Sequence, residues 1–351
     1  MKIWEENVRK VVPYTPGEQP KTDGVIKLNT NENPYPPAPG VAKALREFDV
    51  DGLRLYPDPT VGSLVEAIAD NYGLDKSRVF VGVGSDDVLA MIFMTFFNSK
   101  KPILFPDITY SFYDVWADML RIPYERVKLD DDFGIVPEDY YKDNGGVIFP
   151  NPNAPTGRLM SLSDIEDIIK HNQDVIVVVD EAYIDFGGVS AKDLVNEYDN
   201  VLVVQTFSKS RSMAGMRIGY AFGSKELIKA LNDVKFSFNS YTMNMTSIDM
   251  GVASINDKKY FEECVERITA TRERTKEELT KLGFTFPDSK ANFIFATHKS
   301  VPAKEIFEKL KDLNIFVRYF AQPGIDNYLR ITIGTDEQMD KLISALSEIV
   351  G

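Results

Sequence analysis

The feature that most restricts this chain is a series of short, β-rich apolar runs at Val79–Val83, Ile103–Phe105, Val147–Phe149, Val175–Val179, Val201–Val204 and Ile218–Phe222. Their apolar residues are continuous rather than alternating, so each strand needs cover on both faces. Amphipathic patterns separate several of them. Ser163–Lys170 is one, with Ser163 and Glu166 spaced as a capping box. Strands that alternate with helices imply an α/β fold around a mainly parallel sheet.

The chain has 351 residues, which suits one large domain plus a smaller one. After about Asn239 the texture changes. A charged helical pattern spans Asp257–Leu282, followed by strand-like Phe293–Ala296, Phe316–Arg318 and Leu329–Ile333. A last helix begins at Thr335, with Gln338 completing a capping box. The N-terminal stretch to Pro39 is too rich in proline for a long helix and suits an extended arm. The expected division is therefore residues 30–240 as the large domain, with 1–29 and 241–351 as a small α+β domain carrying the arm.

Composition removes several function classes. A formal net charge of −13 argues against nucleic-acid binding, which needs clustered Lys and Arg. The single cysteine, Cys264, permits no internal disulfide. Together with the lack of a signal-peptide pattern, that points to the cytoplasm. The longest apolar stretch, Val88–Phe97, is about half a bilayer span and reads as a buried helix, so no membrane is expected. The 2 histidines, His171 and His298, have no metal-ligand spacing, and no metal site is expected.

The chemistry-bearing residues follow the strands, where open α/β sheets bind their ligands. The run from Val175 ends in Asp180-Glu181-Ala182-Tyr183. A nucleotide-hydrolysing reading of that strand needs a Gly-Lys phosphate loop, and the sequence has no Gly-Lys dipeptide. A buried acid there still needs a cationic partner. Gly82-x-Gly84-Ser85-Asp86 opens a helix after a strand, a geometry that offers backbone N–H groups to an anion. Asp87 occupies the third glycine position of a dinucleotide fingerprint and weakens that alternative. The acidic side chains there are expected to cap the helix. The stretch Thr206-Phe-Ser208-Lys209-Ser-Arg-Ser-Met-Ala-Gly215-Met-Arg217 sets two cations among small residues after a third strand.

In order along the chain, these motifs resemble those of the fold-type I aminotransferases that use pyridoxal 5′-phosphate (PLP), in the class II signature group. The likeness also takes in Asn31-Glu32-Asn33-Pro34, Tyr56-Pro57-Asp58-Pro59, Tyr110, Asn151-Pro-Asn153-Ala-Pro155-Thr-Gly157 and Leu329-Arg330-Ile331. The resemblance implies a large domain around a mainly parallel, seven-stranded sheet. It implies that Lys209 carries the cofactor as a Schiff base and moves a proton between the substrate Cα and C4′. Asp180 would pair with the ring nitrogen, Tyr183 would donate to O3′ and Tyr110 would stack on the ring. Arg217, Ser208 and the N–H groups of Ser85 and Asp86 would hold the phosphate, with Tyr56 reaching it from a second subunit of a homodimer. The family places an asparagine directly before Pro-Thr-Gly; here that position is Ala154. Asn153 is assigned the contact to O3′, with a turn away from the ring as the alternative.

Within the family, the short length and Val12-Pro13-Tyr14-x-Pro16-Gly17 look most like the members that exchange an amino group between a phosphorylated amino alcohol of histidine biosynthesis and 2-oxoglutarate. Small-molecule amino donors and 2-oxo acids are the expected partners. Arg330 and Arg318 stand where the resemblance puts an anion pocket, with Tyr14 and Asn33 near the substrate. Aromatic aminotransferases and decarboxylases of phosphorylated amino acids share this frame.

Overall fold

The computed structural model describes residues 2–21 and 24–351. Of the expected N-terminal arm, residues 1, 22 and 23 lie outside the described residues.

The apolar runs form a 7-stranded sheet in the order Val79–Gly82, Gly219–Phe222, Val201–Thr206, Val177–Asp180, Val147–Pro150, Ile103–Pro106 and Tyr124–Val127. Gly219–Phe222 runs antiparallel to both neighbours, and the remaining pairs are parallel. The register explains the continuous apolar runs. Val177, Val179, Val201 and Val203 enter the core on one face, with Leu64, Ile68, Ile165 and Ile248 of the helices there. Val178, Leu202 and Val204 enter the other, with Val88, Phe93, Trp116 and Leu231. Two residues apart means the same face of a strand, so every position in these strands meets a helix.

Tyr124–Val127 was absent from the expected strands. It is the sheet's outer strand, and Glu125 and Arg126 are exposed. An edge strand with charged residues carries no apolar run to detect. The Ser163–Glu166 capping box is also corrected. Ser161 caps the helix Leu162–His171 by accepting from Asp164 N, while Glu166 accepts from the Tyr198 hydroxyl at 2.6 Å and pairs with Lys170. The Thr335–Gln338 box forms as expected.

A second layer holds the 4-stranded antiparallel sheet Arg318–Tyr319, Leu329–Thr332, Phe293–His298 and Phe284–Thr285. The helices Lys258–Lys281, Ala303–Asp312 and Asp336–Val350 supply its core through Ile268, Ile306 and Leu342. The expected strand Phe316–Arg318 is split. Ile315–Phe316 pairs in parallel with Ile26–Lys27, and Arg318–Tyr319 pairs with Leu329 and Arg330. This split ties the N-terminal segment to the second layer and turns Arg318 toward Arg330. The helix Met245–Asn256 packs with the large sheet's core through Ile248, Met250 and Ile255. We therefore propose that the division between domains falls at Asp257, the cap of the long helix, rather than near residue 240.

The two histidines serve packing and hydrogen bonding. His171 stacks on Tyr141 and bonds to the Asp167 carbonyl, and His298 Nε2 bonds to the Leu282 carbonyl. Cys264 is buried in the second core. Among the described residues, no helix is long and apolar enough to cross a membrane.

Arg272 joins the layers. It is buried on the long helix and donates to the carbonyls of Phe186, beyond a strand end of the large sheet, and Ala291. Replacing it with methionine keeps most of the volume and leaves two buried carbonyls without that donor. Arg272→Met is expected to lower unfolding stability by about 3 kcal/mol, as urea denaturation will measure.

Candidate active site

The Val177–Asp180 strand delivers a carboxylate into the interior. Asp180 Oδ2 accepts from the Tyr113 hydroxyl at 2.9 Å, and its Oδ1 accepts from Ala182 N at 3.3 Å. No Lys or Arg among the described residues pairs with it. Burial raises its pKa to about 6, partly offset by those two donors. Tyr113 is an aromatic in the stripe Phe112, Tyr113, Trp116, and the sequence offers no sign that it differs from the core around it.

The next strand, Val201–Thr206, leads into Ser208 and Lys209. Lys209 Nζ donates to the Thr30 carbonyl at 3.2 Å and lies 5.7 Å from the centre of the Tyr183 ring. Asn33, expected near the substrate, instead clamps the lysine loop: its Nδ2 donates to the carbonyls of Lys209 and Ser210. Asn31, two residues earlier, lines the cavity and donates to the Tyr183 hydroxyl at 2.9 Å. The Asn-Glu-Asn-Pro motif contains the signal for Asn31, but the spacing does not say which asparagine faces inward. Asn31 has φ 56°, and that left-handed backbone reverses the chain between the two.

At the other end, Arg217 Nη2 meets Asp86 Oδ2 at 3.0 Å and its Nη1 lies 3.4 Å from Ser208 Oγ. The Tyr110 hydroxyl donates to Asp86 Oδ1 at 2.7 Å. Asp86 therefore pairs with the arginine, and Asp87 accepts from Val83 N, ahead of the helix; the expected capping by these acids does not form, since no described side chain caps the helix. The helix starts at Ser85, which leaves its first N–H groups without partners in the helix. Gly84 precedes it with φ 88°, and a Cβ there would strike the Arg217 guanidinium. Glycine is required for both reasons.

Asn153 does not face the site. Its Nδ2 donates to the Ile108 carbonyl and to Thr156 Oγ1, and its Oδ1 accepts from Thr109. Ala154 lines the cavity instead. The contacts of Asn153 within its own loop favour the alternative in which it turns away over its assignment to O3′. Tyr56 also lies off this cavity: it is 81% exposed and rests on Tyr241.

The cavity encloses about 170 Å³, and Tyr14, Tyr110, Tyr183, Lys209, Arg318 and Arg330 share its wall. Tyr14 stacks on Phe112. Arg330 donates to the Asn29 carbonyl at 3.1 Å, while its buried Nε has no partner. Burial holds its pKa below the ordinary arginine value, and the neighbouring Arg318 adds to that. Arg318 reaches the Thr15 carbonyl. Neither guanidinium has a carboxylate partner among the described residues, so each keeps fork donors that an anion in the cavity could use.

Comparison with known proteins agrees with this geometry. The family model for aminotransferase class I and II matches residues 23–346. The chain belongs to that family. The histidinol-phosphate aminotransferase of Clostridium beijerinckii is 52% identical to this aminotransferase over 349 residues, covering 99% of this chain and 98% of that protein. The crystal structure of the histidinol-phosphate aminotransferase from Clostridium acetobutylicum superposes with a TM-score of 0.86 at 23% identity, covering 93% of this chain and 99% of the other. The Sinorhizobium meliloti enzyme of that name, in complex with pyridoxal 5′-phosphate, gives 0.84 at 23% identity, covering 93% and 90%. These structural likenesses show the fold expected from the sequence, that of the fold-type I aminotransferases.

The Asp180 carboxyl generates a prediction for the ligand-free aminotransferase. Its folded pKa, about 6, lies above the ordinary value near 4. The stability it contributes is thus complete below pH ~4 and is lost as pH rises through 6. Asp180→Asn removes that slope. Its stability relative to the parent chain should rise by roughly 1 kcal/mol between pH 5 and pH 8, measured by denaturant unfolding at both values.

Proposed function

We propose that this aminotransferase binds PLP through Lys209 and exchanges an amino group between L-histidinol phosphate and 2-oxoglutarate, the transamination of histidine biosynthesis. The observation that carries this is the 52% identity, along almost the whole chain, to a protein named histidinol-phosphate aminotransferase. The paired, carboxylate-free Arg318 and Arg330 in one cavity support it.

The residues present fit the cofactor. A buried carboxylate with no cation, Asp180, suits a protonated ring nitrogen. Arg217, Ser208 and the start of the Ser85 helix suit a phosphate. When bound, PLP supplies an electron sink for the bonding pair released at the substrate Cα. Lys209 Nζ would provide the amine that holds it and the group that would take and return the proton at the substrate Cα. Asp180 keeps the ring nitrogen protonated. Tyr183, oriented by Asn31, offers its hydroxyl to O3′, and with Asn153 turned away it is the residue we assign to that oxygen. Tyr110 packs against the ring.

Arg330 and Arg318 take the donor's phosphate in one half-reaction and a carboxylate of the oxo acid in the other. Two guanidiniums suit both because each ligand presents several oxygens to their planar forks. Tyr14 adds a hydroxyl. Leu53, Leu55, Tyr56 and Phe238 are exposed large apolar side chains. A homodimer would cover them and bring Tyr56 to its partner's phosphate site. Cytoplasmic placement is part of the same proposal and follows from the single cysteine.

The test is a transamination assay on PLP-loaded protein with histidinol phosphate and 2-oxoglutarate, following glutamate, with phenylalanine and tyrosine as parallel donors. Strong preference for histidinol phosphate is expected. Turnover with aromatic donors alone would reassign the substrate, and CO2 release without glutamate would make the enzyme a decarboxylase.

Two substitutions probe the roles. Lys209→Ala should retain the fold by circular dichroism while losing turnover and the visible absorbance of lysine-bound PLP. Arg330→Ala should raise KM for histidinol phosphate and 2-oxoglutarate by roughly 100-fold, with a smaller change in kcat, in steady-state kinetics.

A further inference from the structure

A partly buried carboxylate, Asp185, follows Asp180 and Tyr183 in the chain and has no part in the chemistry described. Asp185 sits in the short turn Ile184–Phe186, directly after Tyr183. Its Oδ2 accepts from Ser210 Oγ at 2.5 Å. No Lys or Arg among the described residues forms an ion pair with it. Burial raises its pKa; the Ser210 hydrogen bond and the charge of Arg211 oppose that rise. A partly buried acid with no ion pair among the described residues is costly to keep, which directs attention to what its hydrogen bond holds.

Ser210 is the residue after Lys209. The backbone there is pinned from three sides. Asn33 holds the carbonyls of Lys209 and Ser210. The Arg211 guanidinium lies 4.2 Å from the centre of the Phe261 ring and donates to the Ser254 carbonyl. Asp185 holds the Ser210 side chain. The Asp185 contact alone of these three comes from the segment that also carries Asp180 and Tyr183. A hydrogen bond to a charged acceptor is stronger than a neutral one, so it suits a joint between two loops whose relative position matters.

We propose that Asp185 is a positioning residue for Lys209: through Ser210 it locks the lysine loop to the segment bearing Asp180 and Tyr183, so that the amine meets the cofactor aldehyde in register. This rests on the assignment of Lys209 as the anchoring amine. In that condensation the amine nitrogen bonds to the aldehyde carbon, the C=N bond forms and water leaves. Misplacement by about 1 Å is enough to slow such a step by ~100-fold.

The test mixes PLP with cofactor-free protein and follows the growth of visible absorbance by stopped flow. Pyridoxamine phosphate, which has no aldehyde, is titrated in parallel to measure the pocket itself. Asp185→Ala and Ser210→Ala should each slow the absorbance change at least tenfold and leave the pyridoxamine phosphate Kd within about twofold. The double variant should be no slower than either single one, because both remove the same contact. Asp185→Asn, whose amide oxygen still accepts from Ser210, should recover most of the rate. If Asp185→Ala misfolds, Ser210→Ala and Asp185→Asn carry the comparison. An unchanged rate in Ser210→Ala overturns the inference. So does a parallel loss of pyridoxamine phosphate affinity, which would make the contact a general support of the pocket. No absorbance band in the parent chain would overturn the cofactor assignment and this inference with it; a normal parent band confines any failure to Asp185.

Discussion

The interaction on which the site depends is a carboxylate placed where water cannot reach it. Asp180 ends a strand buried at every position and, among the described residues, receives a tyrosine hydroxyl and a backbone N–H. Those donors do not match the hydration that an ionised carboxylate gives up, so its pKa rises. A protonated ring nitrogen about 4 Å away would return ~4 kcal/mol at an effective dielectric of 20. That exceeds the penalty of the shifted pKa, about 3 kcal/mol. The cofactor and the acid then stabilise each other's charge. The sheet is the scaffold for this exchange, because both its faces are covered and the strand cannot move to let water in.

The cavity's other charges follow the same logic with the opposite sign. The chain carries a net charge of −13, yet the cavity wall gathers Lys209, Arg318 and Arg330. Their contacts include backbone carbonyls rather than carboxylates, which orient a cation without cancelling its charge. Arg217 is different, since Asp86 pairs with it. That pair is half-exposed, so solvent weakens it, and a phosphate dianion can share the same guanidinium. The proposed anion pocket and cofactor end would thus use arginine in two ways, one half-buried with no carboxylate among the described residues, the other paired and partly solvated.

How much of this was legible in the sequence depended on burial. Strands covered on both faces announced themselves as apolar runs, while Tyr124–Val127 did not, because Glu125 and Arg126 face solvent. The helix Met245–Asn256, expected with the small domain, packs with the large sheet's core. Its inward residues include Ser247, Gly251 and Ser254, small side chains chosen for close approach; a Cβ on Gly251 would press on Leu64 and Ile218. Such packing narrows the hydrophobic stripe of Ile248, Val252 and Ile255. The motifs located the site, but orientation within a motif was hidden. Asn31 and Asn33 exchange their expected importance through one left-handed residue. Asn153 is consumed by its own loop. Tyr113, which touches Asp180, was indistinguishable from the aromatic core beside it.

In the proposed site, Asn153 is engaged in its own loop and Ala154 precedes Pro-Thr-Gly, so the donation proposed to O3′ would rest on the Tyr183 hydroxyl, and a single donor has to be well aimed. The structure surrounds Tyr183 accordingly. Asn31 donates to its oxygen, which leaves the phenolic proton free to point elsewhere. Phe293 meets its ring edge-on at 5.1 Å, and Asn31 is itself fixed by Thr332 and Asn292 of the second layer. The aim of one hydroxyl in the large domain is therefore set by strands of the small one. An opening between the layers would release Tyr183 and Arg330 together, because Arg330 lies on the same Leu329–Thr332 strand as Thr332. Under the proposed roles, substrate anion binding and cofactor polarisation would be coupled through that strand, which would give a physical reason for an anion pocket on the second layer rather than on the sheet that carries Lys209.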